Sequence, residues 1–171
     1  MSPLFLSLAL LAPAQQPNPQ VNDVGILPLG ADGKPLNLDF ETGTLKDWTA
    51  DGAAFQDQPI KGDTVNPRRA DNRSRHQGQF WVGGYEKRGD KPTGTLTSVP
   101  FKVTHPWASF LVGGGPHLRE TCVEIVSGKD VILRAAGRER EDMERVVIDL
   151  AKHKDKEIFC LLYTSPSPRD S

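Results

Sequence analysis

The sequence predicts an all-β fold, a jelly-roll β-sandwich. Three observations carry that expectation. Short stretches rich in β-branched and aromatic residues recur along the chain, each bounded by Gly, Pro or Asp. No long segment places its apolar residues at the 3.6-residue helical period. Gly 16 and Pro 14 are high for 171 residues, which suits strands joined by turns better than a helical bundle.

The elements follow in order. "LNLDF" alternates Leu36, Leu38 and Phe40 on one face, the pattern of a half-buried strand. "ETGTLKDW" reads as a turn, with Trp48 ready to fill a core. "GAAF", "GQFWVGGY", "TGTLTSVPFKV", "WASFLVGGG", "TCVEIVSG", "DVILRAAG" and "ERVVIDL" continue the strand series. Ser127-Gly128-Lys129-Asp130 is a hairpin turn between two of them. Glu139 to Arg145 fits one helical turn, which would bring Arg138 near Asp142 and Glu141 near Arg145 on a solvated face. "DKEIF" opens a last strand, and the sandwich is expected to be truncated there, at Phe159.

The two ends differ in character from the middle. Leu4 to Leu11 is an apolar run too short to span a bilayer, and Ala12-Pro13-Ala14 has the small-x-small pattern of a signal-peptidase site. Residues 1–14 are therefore expected to be a signal peptide, 15–34 a linker, 35–159 the β-sandwich module and 160–171 a tail. Cys160 to Asp170 matches, codon by codon, the translation of a widely used transposase sequencing adapter, so the tail is expected to be an artefact of cloning or assembly. The resulting expectation is a secreted or periplasmic protein with no later membrane span, truncated before its last strand.

Lys and Arg number 21 against 22 Asp and Glu, a formal net charge of −1, which argues against nucleic acid as a partner. The motifs of catalysis are missing. There is no G-x-S-x-G, H-E-x-x-H, Walker loop or C-x-x-C-H. His76, His105, His117 and His153 are scattered without metal-ligand spacing. Cys122 stands alone in an alternating stretch and reads as a small buried hydrophobe. No enzymatic activity is expected of this chain.

Four stretches in order, "LDFETGTLKDWTADGAAF", "QGQFWVGGYEKRGDKPTGTLTSVPF", "SFLVGGGPHLRETCVEIV" and "AAGRERED" with "RVVIDL", resemble the galactose-binding-like jelly-roll modules. These include the family-66 carbohydrate-binding modules of levanases and similar N-terminal modules of planctomycete-type secreted proteins. The resemblance covers roughly Leu36 to Phe159. It implies a non-catalytic carbohydrate-binding module in a larger exported protein, with a polysaccharide, fructan among the candidates, as partner. Two alternatives are a spacer or docking domain for a downstream haem-binding or dehydrogenase-like domain, and an accessory part of a family-32-like glycoside hydrolase. It also implies a structural Ca²⁺, for which Asp39 and Glu41 in "DFETG" offer hard oxygen ligands.

Within that frame, "VGGGPHLRE" holds the site candidates His117, Arg119 and Glu120, whose donors and acceptors suit sugar hydroxyls. Trp81 or Tyr85 would supply a ring to stack on the sugar, although alternation makes either Phe80 or Trp81 a core residue. Arg68, Arg69, Arg73, Arg75 and His76 form a local basic cluster, read either as a solvated loop or as a contact for carboxylated or sulfated glycans.

Overall fold

The structure, a computed structural model, describes residues 25–164. The expected signal peptide, residues 15–24 of the expected linker and residues 165–171 of the expected tail lie outside the described residues. Among the described residues, ten strands, two short α-helices and one 3-10 turn (Ala151–His153, between β9 and β10) follow in chain order: β1 (Trp48–Gly52), β2 (Ile60–Lys61), α1 (Val65–Arg68), β3 (Phe80–Trp81), α2 (Gly84–Arg88), β4 (Gly94–Ser98), β5 (Phe101–Lys102), β6 (Trp107–Gly114), β7 (Thr121–Ser127), β8 (Asp130–Ala135), β9 (Arg140–Asp149) and β10 (Glu157–Thr164). The chain is all-β, as its period-2 stretches require.

A six-stranded antiparallel sheet runs β1-β4-β10-β7-β8, with β5 also paired to β10. β6 and β9 form a second antiparallel layer, and β2 and β3 a small ribbon. Val103, Ile125, Ile148, Leu150 and Ile158 share one core cluster with Phe110, so β7 and β10 meet β6 and β9 through apolar side chains. Each such side chain contributes roughly 1.5–3 kcal/mol when fully buried. β7 and β8 are joined across Ser127 and Asp130 as the hairpin reading expected, with Gly128 at φ +61° supplying the left-handed turn residue.

Several local expectations are corrected. "LNLDF" is not a strand. The Asn37 side chain organises this segment as a loop, donating to the carbonyls of Thr44 (2.9 Å) and Lys46 (3.1 Å) and accepting from the Thr42 N–H (3.1 Å). The Asn37 main-chain carbonyl takes the indole N–H of Trp48 at 2.9 Å. A buried side chain that satisfies three backbone groups of the following turn holds the segment in a loop rather than a ladder. "GAAF" is a turn that buries Ala54 and Phe55 against Leu96. The segment from Arg140 onward is strand β9, so the helical pairs do not form; Arg138 meets Glu144 at 3.3 Å and Arg140 meets Asp142 at 3.0 Å instead.

The last strand does not stop at Phe159. β10 continues to Thr164, paired with β4 through Leu161–Tyr163 and with β7 through Phe159–Thr164. Its near-continuous apolar text suits a central strand covered on both faces. Leu161 and Tyr163 are buried with Cys122, and Cys160 packs against the cluster around Ile125 and Ile158. Burial pushes the thiol of the half-buried Cys160 up to about 12, which disfavours the reactive thiolate.

Candidate functional site

The loop between β6 and β7 is a set of turns. The His117 carbonyl accepts the N–H groups of Glu120 (3.0 Å) and Thr121 (2.8 Å). Underneath, the Tyr163 hydroxyl donates to the Leu118 carbonyl at 3.3 Å. At the loop's origin, Gly137 is pressed against the backbone of Gly114, where a side chain would meet the Gly114 carbonyl. The loop is therefore held from below while His117, Arg119 and Glu120 are exposed. Among the described residues their side chains make no hydrogen bond or ion pair, so all three are free to meet a ligand.

The other sequence candidates lie elsewhere. Trp81, offered as a stacking ring, is buried at 8% exposure with Ile60 and Val65. Its N–H goes to the Gly62 carbonyl (2.9 Å), and His76 stacks on it at 5.8 Å. Tyr85 is exposed on α2, but the Arg68 guanidinium lies 4.7 Å over its ring. Asp39 Oδ1 accepts the N–H of Glu41 (3.2 Å), and Glu41 Oε1 accepts the N–H groups of Gln79 (2.8 Å) and Phe80 (2.9 Å). Among the described residues no group of three or more His, Cys, Asp or Glu is placed to hold a metal. Asp39 and Glu41 thus act as turn and strand-end acceptors and do not fit a calcium shell.

The basic cluster divides in two. Arg68 is held between Glu86 (2.8 Å) and Glu141 (3.0 Å), and Arg69 reaches Glu141 at 3.2 Å. The hydrogen bond to Glu141, against the opposing effect of burial, raises Arg68 further above its ordinary value and fixes it as a cation. Arg73 and Arg75 instead line a cleft of about 210 Å³ with Arg140 and Asp142. A neighbouring cleft of about 290 Å³ opens where the end of β8 meets β6 and β9, lined by Arg134, Arg138, Arg140, Arg145 and by Leu118 of the loop. The loop and the arginines thus share one rim.

A residue that the sequence reading passed over completes the picture. Trp107 opens β6 and is 60% exposed, and Val147 of β9 is 58% exposed. The register sets Trp107 opposite Asp149 and Ser109 opposite Val147, so strand alternation puts all four on the outer face of this layer. Beside them, Arg145 donates to Ser109 Oγ (2.7 Å) and to Gln77 Oε1 (3.2 Å). An open indole bordered by polar groups in fixed positions can stack on one face of a ring and hydrogen-bond its edge.

No family model matches the chain. No solved structure matches it. Over 92 residues, 53% of this chain, it is 34% identical to an Aspergillus rugulosus protein named "Putative glycosyl hydrolase ecdE". The match spans only 12% of that protein's length, so it concerns one segment of a much longer molecule.

Proposed function

We propose that the chain is a non-catalytic carbohydrate-binding module of jelly-roll type, exported by its first 14 residues, whose sugar surface is the outer face of β6 and β9 around Trp107. The observation that carries this reading is the open Trp107 indole beside the Arg145–Ser109–Gln77 hydrogen-bonded group. The name of the matched relative and the resemblance to family-66 modules support the same chemistry. Sugars present alternating apolar faces and hydroxyl edges, and this surface offers a partner for each.

The test is titration calorimetry with levan, inulin and polygalacturonate on the wild type and on Trp107→Ala. Loss of the stacking ring costs about 1.5 kcal/mol, roughly tenfold in affinity. Trp48 and Trp81 are turned inward with their N–H groups bonded, so bound glycan protects Trp107 selectively from acrylamide quenching. Binding to none of the three polymers by the folded protein favours a spacer role.

A further inference from the structure

The clefts on either side of Arg140 and Asp142 form one continuous surface, since both residues line both. Six arginines face it against three carboxylates, Asp71, Asp142 and Glu144. The chain as a whole carries a net charge of −1, so this excess is local and does not reflect a basic protein. Arg138 and Arg140 are matched by Glu144 and Asp142. Arg73 and Arg75 have no carboxylate partner among the described residues, and Arg145 bonds only neutral oxygens.

The segment that bears Arg73 and Arg75 is built, not loose. Ser74 between them is fully buried. Its N–H donates to Asp63 Oδ2 (3.1 Å), its carbonyl accepts the Met143 N–H (2.8 Å), and its hydroxyl lies 2.6 Å from His76 Nδ1. Asp63 also accepts the N–H of Val65 at 2.9 Å, which ties the segment to the start of α1. One residue pinned inward leaves its two neighbours displayed outward, and the backbone part of the ordering cost is already met in folding. Arginine forks match planar carboxylates and sulfates in geometry as well as charge.

We infer that this arginine groove takes a carboxylated or sulfated glycan. The inference rests on the carbohydrate reading above and adds the class of glycan. Charge complementarity selects the occupant, and the Trp107 face continues the contact along the same polymer.

The experiment uses the full chain, with polygalacturonate, dextran sulfate, neutral inulin and a single-stranded oligonucleotide as probes, each at low and at physiological salt. An Arg73→Gln/Arg75→Asn double variant is measured beside it; asparagine suits the left-handed backbone of Arg75 (φ +51°). The expected result is that an acidic glycan binds about tenfold tighter than inulin, that salt weakens it severalfold, and that the double variant loses about tenfold for the acidic glycan alone. Unchanged acidic-glycan affinity in the double variant overturns the inference. So does an oligonucleotide that binds as tightly as the glycan, which would mark a general polyanion surface. Inulin binding that depends on Trp107, with no gain for acidic polymers, overturns the groove and leaves the carbohydrate reading standing. Absence of all glycan binding overturns both.

Discussion

Arg134 and Glu124 face each other directly across β8 and β7, with Arg134 Nε 2.7 Å from Glu124 Oε1. Glu124 is fully buried, whereas the Arg134 side chain reaches the cleft wall and is 33% exposed. The pair therefore couples the interior of the large sheet to the candidate groove. Its second carboxylate oxygen has no hydrogen-bond partner among the described residues, so the ion pair and the Tyr163 hydroxyl at 3.3 Å carry most of the compensation for burying that charge. Removing one partner of such a pair costs about 3 kcal/mol or more, because the other charge stays behind. Arg134→Met is expected to destabilise by about that amount in urea denaturation. Glu124→Gln keeps the shape and an acceptor and is expected to cost about 1 kcal/mol. Equal, small effects from both substitutions would show that the pair does not hold the sheet.

The end of β10 makes a second prediction. Tyr163 is 1% exposed, and its hydroxyl meets Cys122 Sγ (3.0 Å), the Leu118 carbonyl and Glu124. Tyr163→Phe takes an acceptor from the Cys122 thiol and a donor from the Leu118 carbonyl and Glu124, and is expected to cost about 1–2 kcal/mol. A chain ending at Phe159 removes Leu161 and Tyr163 together and leaves β4 and β7 with no strand between them. It is expected to lose cooperative unfolding by circular dichroism.

The fold class was legible because β7 and β8 write their burial into the sequence as alternating or apolar runs bounded by turn residues, whereas only the first residues of β10, up to Phe159, were read as strand. It failed at Leu36–Phe40, where the pattern alternates but the Asn37 side chain ties the segment to the turn at Thr42, Thr44 and Lys46. It failed at Arg140–Arg145, where charges at helical spacing in fact pair along and across a strand. The exposed loop of His117, Arg119 and Glu120 was readable from its glycines. The groove was half readable. Arg73 and Arg75 stood out as a local cluster, but their meeting with Arg140 depends on Ser74 bonding the backbone of Met143, a long-range contact no local pattern encodes. Trp107 was hidden by its setting, since alternation in "WASFLV" allows either face to be the buried one until Phe110 is seen in the core.

Acid sensitivity follows from two carboxylates. The hydrogen bond from Arg68, opposed by burial, holds Glu141 below its ordinary value of 4.5. Burial works to raise Asp63, but the N–H groups of Ser74, Asn66 and Val65 outweigh it and hold Asp63 below 3.8. Each group is charged more readily folded than unfolded, so the unfolded chain binds more protons in acid. Their stabilisation is complete above about pH 5 and is lost as pH falls through about 4 and below. Melting temperature is expected to drop across that window in the wild type. An Asp63→Asn/Glu141→Gln variant, less stable at neutral pH, should show a flatter acid limb. An acid limb as steep in the variant as in the wild type would assign the loss to other carboxylates.

The two parts of the proposed glycan surface are separated along one strand, and that separation can be measured. Trp107 begins β6 and the loop of His117, Arg119 and Glu120 follows its far end at Gly114. Seven steps along a strand span about 23 Å. A short oligosaccharide that stacks on Trp107 therefore cannot reach the loop, whereas a polymer can touch both. None of the three loop side chains has a partner within the described protein, so substituting them should leave stability within about 0.5 kcal/mol. His117→Ala and Arg119→Ala are expected to weaken polymer binding severalfold, in line with about 1 kcal/mol for a lost hydrogen bond, while short oligosaccharides bind as to the wild type. Trp107→Ala is expected to weaken both. The measurement is calorimetry with a ladder of oligosaccharide lengths from the polymer that binds. Loop substitutions that weaken the shortest ligand as much as the polymer would place the sugar at the loop and remove Trp107 from the site. Loop substitutions without effect at any length would confine the site to the Trp107 face.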